Sequence, residues 1–452
     1  MANCDPLKIV LVLNHYLPVH VAGTEVYTHL LGKYLQLQGC QVSVIIPNYG
    51  SSKSRKYIYD NIPVYCYAEP TVVNRNLILG KSKPLGLSSF EELIVTLNPD
   101  IIHFQELAGS NGITIHHVKS AKKLGYKVVF TAHVVKYSCK KGDLILNGKE
   151  LCDGIINIKR CTGCNYHSNN LSKNGKIALQ FLSNILYNIR INLTHFNSSV
   201  GTAFGFPFLI EKHLNELRQL SQTCDKIVVL TSWFKSILIK NGVSADKLLH
   251  LPQALTQLNH NFSSHKYNAH LPIKLLFVGR ISHFKGIHLL LDALHTLPQD
   301  KISLDIYGQE TDEAYLHLCK EKSKNLGNVN WCGLFDSKDV VRLMRNYHLL
   351  CLPSTINEMA PLVIQEAYAA GIPVIASNVY GNAEFVKHNV NGLLFEINNI
   401  SSLRNAIDFV IKQPSQLDLY ASNIVKPDPF ENVGQAYFEL YNELIHENTT
   451  HK

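Results

Sequence analysis

The sequence predicts an α/β protein with two doubly wound domains that face each other across a cleft. Short apolar runs alternate with helical patterns, and this alternation stops once and then restarts. A chain of 452 residues has room for two or three domains. Apolar residues make up 46% and charged residues 17%, which is typical of a globular protein and gives no compositional sign of long disordered tracts.

The first domain, residues 1–251, opens with a β-α-β unit. The run Lys8–Leu13 predicts a buried strand, and Thr24 is a suitable N-cap for a helix that ends before Gly39. Val42–Ile46 predicts the next strand, parallel to the first. Further strands of this domain are expected at Ile101–Phe104, Lys127–Thr131 and Lys226–Leu230.

The second domain is predicted over residues 273–425. Residues 252–272 are rich in Asn, His, Ser and Gln without an apolar face, and we interpret them as a linker. The expected strands are Lys274–Val278, Ser303–Tyr307, Val329–Cys332, Leu349–Leu352 and Pro373–Ala376, and the expected helices are Gly286–Leu297 and Leu362–Ala370. Residues 426–452 predict a C-terminal helix that packs back towards the first domain.

The charge is distributed unevenly. The net charge is +8, with +12 in residues 1–250 and −4 in residues 251–452. A basic half can attract nucleic acid, anionic lipid or a phosphorylated substrate, whereas a solubilising surface is the simpler alternative. The apolar run between Lys8 and Asn14 is too short for a signal peptide or a membrane span. We therefore expect a cytoplasmic protein. Its basic half is able to contact the inner face of the membrane peripherally.

Two cations follow the first strand of the second domain. Arg280 and Lys285 come directly after Lys274–Val278, at the strand end where open parallel sheets bind ligands. A guanidinium and an ammonium suit a diphosphate. The alternative is a surface pair that flanks a tight turn.

Two glutamates accompany the helix Leu362–Ala370. Pro361 fits its first turn, where free N–H groups can receive an anion. Glu358 lies just before the helix and Glu366 within it, so the two carboxylates can hold the hydroxyls of a sugar and of a ribose. A solvent-facing pair of glutamates is the alternative.

These motifs, in this order, resemble the retaining glycosyltransferases of family four, which have the GT-B fold of two Rossmann-like domains. The resemblance spans nearly the whole chain. It rests on the Lys8–Leu13 strand, Ala22-Gly23-Thr24-Glu25, Pro99-Asp100-Ile101-Ile102-His103, Thr131-Ala132-His133, Asp225-Lys226-Ile227-Val228 with Ser232, Gly279-Arg280 through Lys285-Gly286, Glu358 with Glu366, Ala370-Gly371-Ile372-Pro373-Val374-Ile375-Ala376 and Asn391-Gly392-Leu393-Leu394.

The resemblance implies a role for each site residue. The catalytic residues would be His133, Arg280, Lys285 and Glu358. The donor-binding residues would be Gly23, Arg280, Lys285, Glu358, Met359, Ala360, Pro361, Leu362 and Glu366. In this scheme the Gly23 amide approaches the diphosphate and His133 meets the donor sugar. The alternatives are that Gly23 serves only its turn and that His133 is a strand-end histidine satisfied by the backbone.

The reaction implied is transfer of a sugar from a nucleoside-diphosphate donor to a hydroxyl of a glycan, lipid-linked or protein acceptor, with retention at the anomeric carbon. The sequence has no DxD-type motif, so we expect no metal or cofactor in catalysis. A sugar-nucleotide epimerase or hydrolase of the same fold is an alternative. Another is a zinc-containing nucleic-acid-binding protein, but RNP-like and helix-turn-helix motifs are absent, and no nucleic-acid partner is expected.

Four cysteines lie in an insertion predicted over residues 137–170. Cys139, Cys152, Cys161 and Cys164 can close a tetrahedral zinc site, and some members of the resembled family carry a comparable insertion. We expect a structural zinc clip in a loop rich in Gly, Asn and Lys. A redox-active pair at Cys161 and Cys164 is the alternative.

Beyond the insertion, residues 176–220 begin with an amphipathic helix that includes Leu179, Leu182, Ile185 and Ile189. The pattern fits a helix packed on its own domain or one that lies on a membrane surface near a lipid-linked acceptor.

Overall fold

The computed structural model of the protein describes residues 6–70, 75–108, 112–167, 171–196, 198–255, 272–335 and 339–447. The chain forms two compact units. The first comprises Met1–Gly142, Asp153–Pro252 and Phe430–Lys452, and the second comprises Asp143–Cys152 and Gln253–Pro429.

The elements are numbered along the whole chain. The strands are β1 (Lys8–Val12), β2 (Gln41–Tyr49), β3 (Arg55–Tyr59), β4 (Ile62–Glu69), β5 (Ile101–Phe104), β6 (Lys127–Ala132), β7 (Ile145–Leu146), β8 (Glu150–Leu151), β9 (Lys226–Val229), β10 (Leu248–His250), β11 (Ile273–Val278), β12 (Ile302–Tyr307), β13 (Val329–Gly333), β14 (Leu349–Leu352), β15 (Val374–Ser377) and β16 (Gly392–Phe395). The helices are α1 (Gly23–Leu37), α2 (Arg75–Ile78), α3 (Leu87–Leu97), α4 (Ile115–Lys123), α5 (Ile158–His167), α6 (Lys173–Asn188), α7 (Ser199–Phe204), α8 (Phe206–Thr223), α9 (Ser232–Lys240), α10 (Ile287–Leu294), α11 (Glu313–Ser323), α12 (Val340–Met344), α13 (Leu362–Ala370), α14 (Tyr380–Phe385), α15 (Ile400–Lys412), α16 (Ser415–Ser422) and α17 (Phe430–His446).

The first unit is built on a sheet with the strand order β10-β9-β6-β5-β1-β2-β4-β3. Its neighbouring strands are parallel, except that β3 runs antiparallel to β4 at one edge. The central strands are continuous apolar runs because helices cover both faces of a parallel sheet. The edge pair β3 and β4 carries polar and aromatic residues in mixed order, and the sequence analysis did not predict it.

The second unit has a parallel sheet with the order β13-β12-β11-β14-β15-β16. Apolar residues on the two sides of this sheet form separate clusters. Strand β11 lies between β12 and β14, where the order of connection reverses, and such a reversal opens a crevice at the carboxyl edge of the sheet. This edge carries the residues of the candidate site.

Helix α17 belongs to the first unit. It packs on α1 so closely that a Cβ at Gly434 would lie 2.4 Å from the ring of Tyr34. The hydroxyl of Tyr27 donates to that of Tyr437 at 3.1 Å, and both rings are buried. The last helix of the chain therefore completes the core of the unit that the first residues begin.

Three local expectations differ from the structure. The N-cap of α1 is Ala22 rather than Thr24. The segment Asp143–Cys152, predicted within the first domain, belongs to the second unit, where the backbone N–H of Asn357 donates to the carbonyl oxygen of Asp143 at 3.1 Å. The Cys161–Cys164 pair lies on α5 rather than in a loop. The linker predicted at 252–272 stays a prediction, because its residues 256–271 lie outside the described part of the chain.

Candidate active site

An ion pair lies at the carboxyl edge of the second sheet. The Lys285 Nζ donates to the Glu358 Oε1 at 2.6 Å, and the Ser354 hydroxyl donates to the same oxygen at 2.6 Å. Lys285 ends the turn after β11, whereas Ser354 and Glu358 follow β14, the neighbouring strand. The topology thus brings together residues that are 73 positions apart in the sequence.

The electrostatics of this pair keep Glu358 ionised. Burial by itself would raise the pKa of the Glu358 carboxyl. The charge and hydrogen bond of Lys285, the Ser354 hydroxyl and the charge of Arg280 outweigh that effect, and the pKa is lowered. A carboxylate that accepts two hydrogen bonds on one oxygen still offers its second oxygen to a ligand.

Two glycines allow the backbone to approach this pair closely. Gly286 has a φ of +71°, and a Cβ there would lie 1.9 Å from the carbonyl oxygen of Pro353. Gly381 lies against Glu358 from the other side, where a Cβ would come within 2.0 Å of the Glu358 carbonyl oxygen. Larger residues at either position would displace the ion pair.

Arg280 and the start of α13 complete the predicted donor site. Arg280 is exposed, directly after β11, and it makes no hydrogen bond through its side chain among the described residues.

Pro361 is the N-cap of α13 rather than a residue of its first turn, and no side chain caps the helix. Leu362 begins the helix, and Met359 and Ala360 are buried just before it. The N-terminal amides of α13 are therefore suited to an anionic ligand.

Glu366 lies on α13 and differs electrostatically from Glu358. Burial raises its pKa from 4.5 to about 7, and within the described residues no hydrogen bond reaches its side chain. A carboxyl group in this state gains from a ligand that donates hydrogen bonds to it, such as a diol.

The structure adds one residue that the sequence analysis missed. Asn357 is 3% exposed, and its Nδ2 and Oδ1 atoms are buried without a hydrogen-bond partner in the described chain. Unpaired buried amides are rare and costly, so this side chain is a candidate ligand contact beside Glu358. In the sequence, the position of Asn357 next to Glu358, in a loop between a strand and a helix, could have indicated this role.

Gly23 is the first residue of α1 in the other unit. A Cβ added there would meet no atom within 4 Å, and its φ is not left-handed. The fold itself therefore does not require glycine at this position, and the predicted approach of a diphosphate to its amide stays a prediction.

His133 follows β6 and is 8% exposed. Its Nε2 makes a hydrogen bond of 2.9 Å to Gln105 Oε1 rather than to the backbone, and burial lowers its pKa to about 3. With the amide of Gln105 assigned this way, Nε2 carries the proton and Nδ1 is an acceptor. The neutral ring is suited to hydrogen bonding with a hydroxyl and not to proton donation at neutral pH.

Gln105 ties His133 to a buried polar network. Its Nε2 lies 3.1 Å from His103 Nδ1, and the same His103 atom lies 2.6 Å from the hydroxyl of Tyr441 on α17. His103 Nε2 contacts the Thr131 hydroxyl at 2.7 Å. The network fixes the Gln105 amide and so the orientation of the His133 ring.

The four cysteines are divided between the two units. Cys139, Cys161 and Cys164 belong to the first unit, and Cys152 belongs to the second. Among the described residues, no group of three or more His, Cys, Asp or Glu side chains is arranged to hold a metal ion. Burial raises the pKa of the Cys161 thiol, which disfavours the thiolate that redox chemistry needs. The zinc site at Cys139, Cys152, Cys161 and Cys164 stays a prediction.

Two family models match the sequence. The model described as "Glycosyl transferases group 1" matches residues 262–425, and the model described as "Glycosyltransferase Family 4" matches residues 21–150. An uncharacterized glycosyltransferase of Haemophilus influenzae is 30% identical over 195 residues, which is 42% of this chain and 53% of that protein. Glycogen synthase of Mycobacterium tuberculosis is 30% identical over 149 residues, 32% of this chain and 35% of that enzyme. The alignments thus span about half of the first relative and about a third of the second.

Solved structures resemble the chain over nearly its whole length. Sucrose-phosphate synthase from Thermosynechococcus elongatus has a TM-score of 0.65 and 18% identity, and covers 98% of this chain and 100% of that one. Anabaena Alr3699/HepE in complex with UDP and glucose has a TM-score of 0.60 and 16% identity, with 96% and 99% covered. At 16% and 18% sequence identity, this structural similarity establishes the fold alone.

Proposed function

We propose that this chain, which has the GT-B fold and matches glycosyltransferase family models in both of its parts, is a glycosyltransferase of group 1. In this proposal it transfers a sugar from a nucleoside-diphosphate sugar to an acceptor hydroxyl with retention at the anomeric carbon. The proposed donor site comprises Arg280, Lys285, Glu358 and Glu366, with the backbone from Met359 to Leu362. His133 is the proposed contact to the donor sugar from the other unit.

The ion pair of Lys285 and Glu358 beside Arg280 is the observation that carries this proposal. Two cations and the uncapped N-terminus of α13 lie at one sheet edge. In the described part of the chain, one carboxylate pairs with these cations, that of Glu358 with Lys285. This excess of positive charge suits a diphosphate. The HepE structure contains UDP and glucose, which supports a nucleotide-sugar donor for this chain as well.

The proposed chemistry needs charge stabilisation at the leaving group. The bond between the anomeric carbon and the diphosphate oxygen breaks, and the diphosphate leaves with the electron pair. The acceptor oxygen bonds to the same face of the sugar, and its proton passes to the departing phosphate. Arg280, Lys285 and the amides of α13 stabilise the negative charge as it develops, which lowers the barrier.

A donor screen tests this function. Thermal unfolding is measured with the uridine, guanosine and adenosine diphosphates and with their sugars, because a ligand at 100 times its Kd adds about 2.7 kcal/mol of stability. The stabilising donor is then incubated with candidate acceptors, and the anomeric configuration of the product is read by NMR. Sugar released to water at an unchanged rate when acceptors are added would favour a hydrolase instead, and no stabilisation by any donor would contradict the proposal.

Glu366 gives the donor affinity an expected pH dependence. Its pKa of about 7 means that the carboxyl is largely protonated at pH 6 and largely ionised at pH 8. Ribose hydroxyls donate to the ionised form, so the Kd of the nucleotide sugar should fall about tenfold between these pH values. Titration calorimetry at both values checks this, and Glu366→Gln, which cannot ionise, should bind with a nearly constant Kd. An unchanged Kd for the wild type would exclude the ribose role.

Helix α6 supports a further proposal about where the acceptor lies. It packs on its unit through Leu179 and Ser183. On its opposite side Ile177, Phe181 and Ile185 are 59%, 65% and 40% exposed, at the i, i+4 and i+8 spacing of one helical stripe. Among the described residues no helix is long and apolar enough to cross a membrane. We propose that this stripe contacts the membrane surface peripherally, with the basic side chains of the unit facing anionic lipid.

Vesicle sedimentation checks this contact. The protein should sediment more with vesicles that contain anionic phospholipid than with neutral ones, and less as salt screens the charges. Phe181→Glu should abolish most of the binding. Val95→Glu is the matched control, since Val95 is 54% exposed on α3. Equal sedimentation with both vesicle types, or with both variants, would contradict the contact.

A further inference from the structure

A cavity of about 140 Å³ lies within the first unit, and the site residues described above do not line it. Its lining includes Leu107, which follows β5, and Lys136 and Lys140, which follow β6. Leu217 and Leu220 of α8 form an apolar wall. The cavity thus opens beyond the carboxyl ends of two neighbouring parallel strands, where open sheets bind ligands.

Two polar atoms in the lining lack a partner. Ser82 Oγ and His213 Nε2 are both buried without a hydrogen bond to any described residue. A buried donor without an acceptor costs about 1–3 kcal/mol, and native proteins pair such groups with protein, water or ligand. Both atoms belong to one cavity. The Ser82 hydroxyl can donate, and His213 Nε2 donates in the tautomer that places the ring proton there, so an occupant that accepts hydrogen bonds pairs both.

The charge around the cavity is positive. Lys136 and Lys140 have no carboxylate within 4 Å of their ammonium groups among the described residues, and desolvation lowers the pKa of both. Glu106 interacts electrostatically with Lys136, and Glu216, which also lines the cavity, interacts with Lys140. Both carboxylates are already engaged. Glu106 accepts from the backbone N–H of Asn14 at 3.0 Å, and Glu216 is paired with Lys212.

We propose that this cavity binds a phosphate group of the acceptor. The inference rests on the proposed function, and it names the chemical class of the acceptor. A phosphate has three strongly accepting terminal oxygens, enough for two ammonium groups, a hydroxyl and an imidazole N–H together. A carboxylate has one oxygen fewer and half the charge. The wall of Leu217 and Leu220 packs against the group that carries the phosphate, either a sugar or the first carbons of a lipid chain.

Calorimetric titration tests the cavity with defined probes. Inorganic phosphate, glucose 6-phosphate, butyl phosphate and glucuronate are titrated into the full chain, in an Arg280→Ala background that weakens anion binding in the second unit. We expect the phosphates to bind and glucuronate to bind at least about tenfold more weakly. Tighter binding of glucose 6-phosphate than of butyl phosphate identifies a sugar phosphate, and the reverse identifies a lipid phosphate.

The variants Lys136→Gln and Lys140→Gln should each raise the Kd for phosphate about tenfold, because each removes a charge-assisted hydrogen bond. Lys123→Gln is the matched control, since it removes the same charge from an exposed site on α4. Equal affinity in the control and the cavity variants would overturn the proposal. So would a phosphate Kd above about 1 mM in the Arg280→Ala protein with both cavity lysines intact, or glucuronate binding as tightly as phosphate.

The donor screen, run on the wild-type protein, separates the two hypotheses. If nucleotide sugars stabilise the wild type and phosphate does not bind the cavity, this inference fails and the proposed function stands. If phosphate binds with the expected variant pattern and no donor binds, the cavity is a phosphate site and the proposed function fails.

Discussion

Replacing Arg280 with alanine is expected to lower turnover about 10²–10³-fold, the range seen when one preorganised group that stabilises developing negative charge is lost. The side chain is exposed and makes no hydrogen bond among the described residues, so the stability of the protein should change by less than about 0.5 kcal/mol. Steady-state kinetics with the identified donor and thermal unfolding check both parts. Lys274→Ala is the matched control, because Lys274 is exposed near the other end of the same strand.

Lys285→Ala should lower turnover by a similar factor but should also destabilise the protein. Its removal takes the hydrogen-bonded cation from the half-buried Glu358 carboxylate. Among the described side chains, the Ser354 hydroxyl then remains as its hydrogen-bond donor, and the charge of Arg280 compensates it only in part. Adding Glu358→Gln to this variant should recover most of the lost thermal stability and none of the turnover. Wild-type rates in Arg280→Ala and Lys285→Ala would remove the basis of the proposed mechanism.

Replacing His133 with alanine is expected to lower kcat about 10²-fold, the lower end of the range for one preorganised hydrogen-bonding group. Because its pKa is about 3, the imidazole stays neutral from pH 5 to pH 9, and the wild-type rate should show no step from its titration in that range. A rate that falls as pH drops through 6 to 7, in wild type but not in His133→Ala, would contradict this neutral role.

Gln105 is a positioning residue for His133. Its variants test whether it orients the His133 ring or only stabilises the fold. Gln105→Glu places a carboxylate 2.9 Å from the imidazole, which should raise the pKa of His133 and introduce a pH step in kcat. Gln105→Ala removes the contact and should lower kcat without such a step. If both variants lose thermal stability and neither changes the pH profile, Gln105 is only structural.

The buried parallel strands could be predicted from the sequence because both of their faces are covered. Ile101–Phe104 and Leu349–Leu352 were predicted with the bounds that the structure has. The edge strand β3 and its neighbour β4 were missed because partial exposure interrupts their apolar pattern. The position of Asp143–Cys152 in the second unit could not be predicted, since it depends on a backbone contact with Asn357, more than 200 residues away in the sequence.

The residue types of the candidate site could be predicted from the sequence. The contacts and the ionisation of these residues could be predicted less well. The order of motifs identified Lys285 and Glu358, but the ion pair that joins them arises from the adjacency of β11 and β14. The different pKa shifts of Glu358 and Glu366 depend on which carboxylate has a cation beside it, and spacing along a helix does not show this. The same limit applies to Gln105, whose role follows only from its hydrogen bonds.

Helix α17 has a consequence for how the protein is made. It supplies Tyr437 and Tyr441, both fully buried beside Tyr27, Thr131 and His103, yet a ribosome synthesises it after the whole of the second unit. The first unit therefore cannot complete its core during translation until the final helix emerges, although domains commonly fold in N-to-C order. Contacts that join residues more than 300 positions apart also slow folding. Until α17 has emerged, an incomplete first unit exposes aromatic surface that is buried in the folded protein, and its biogenesis should depend on chaperones that hold such surface.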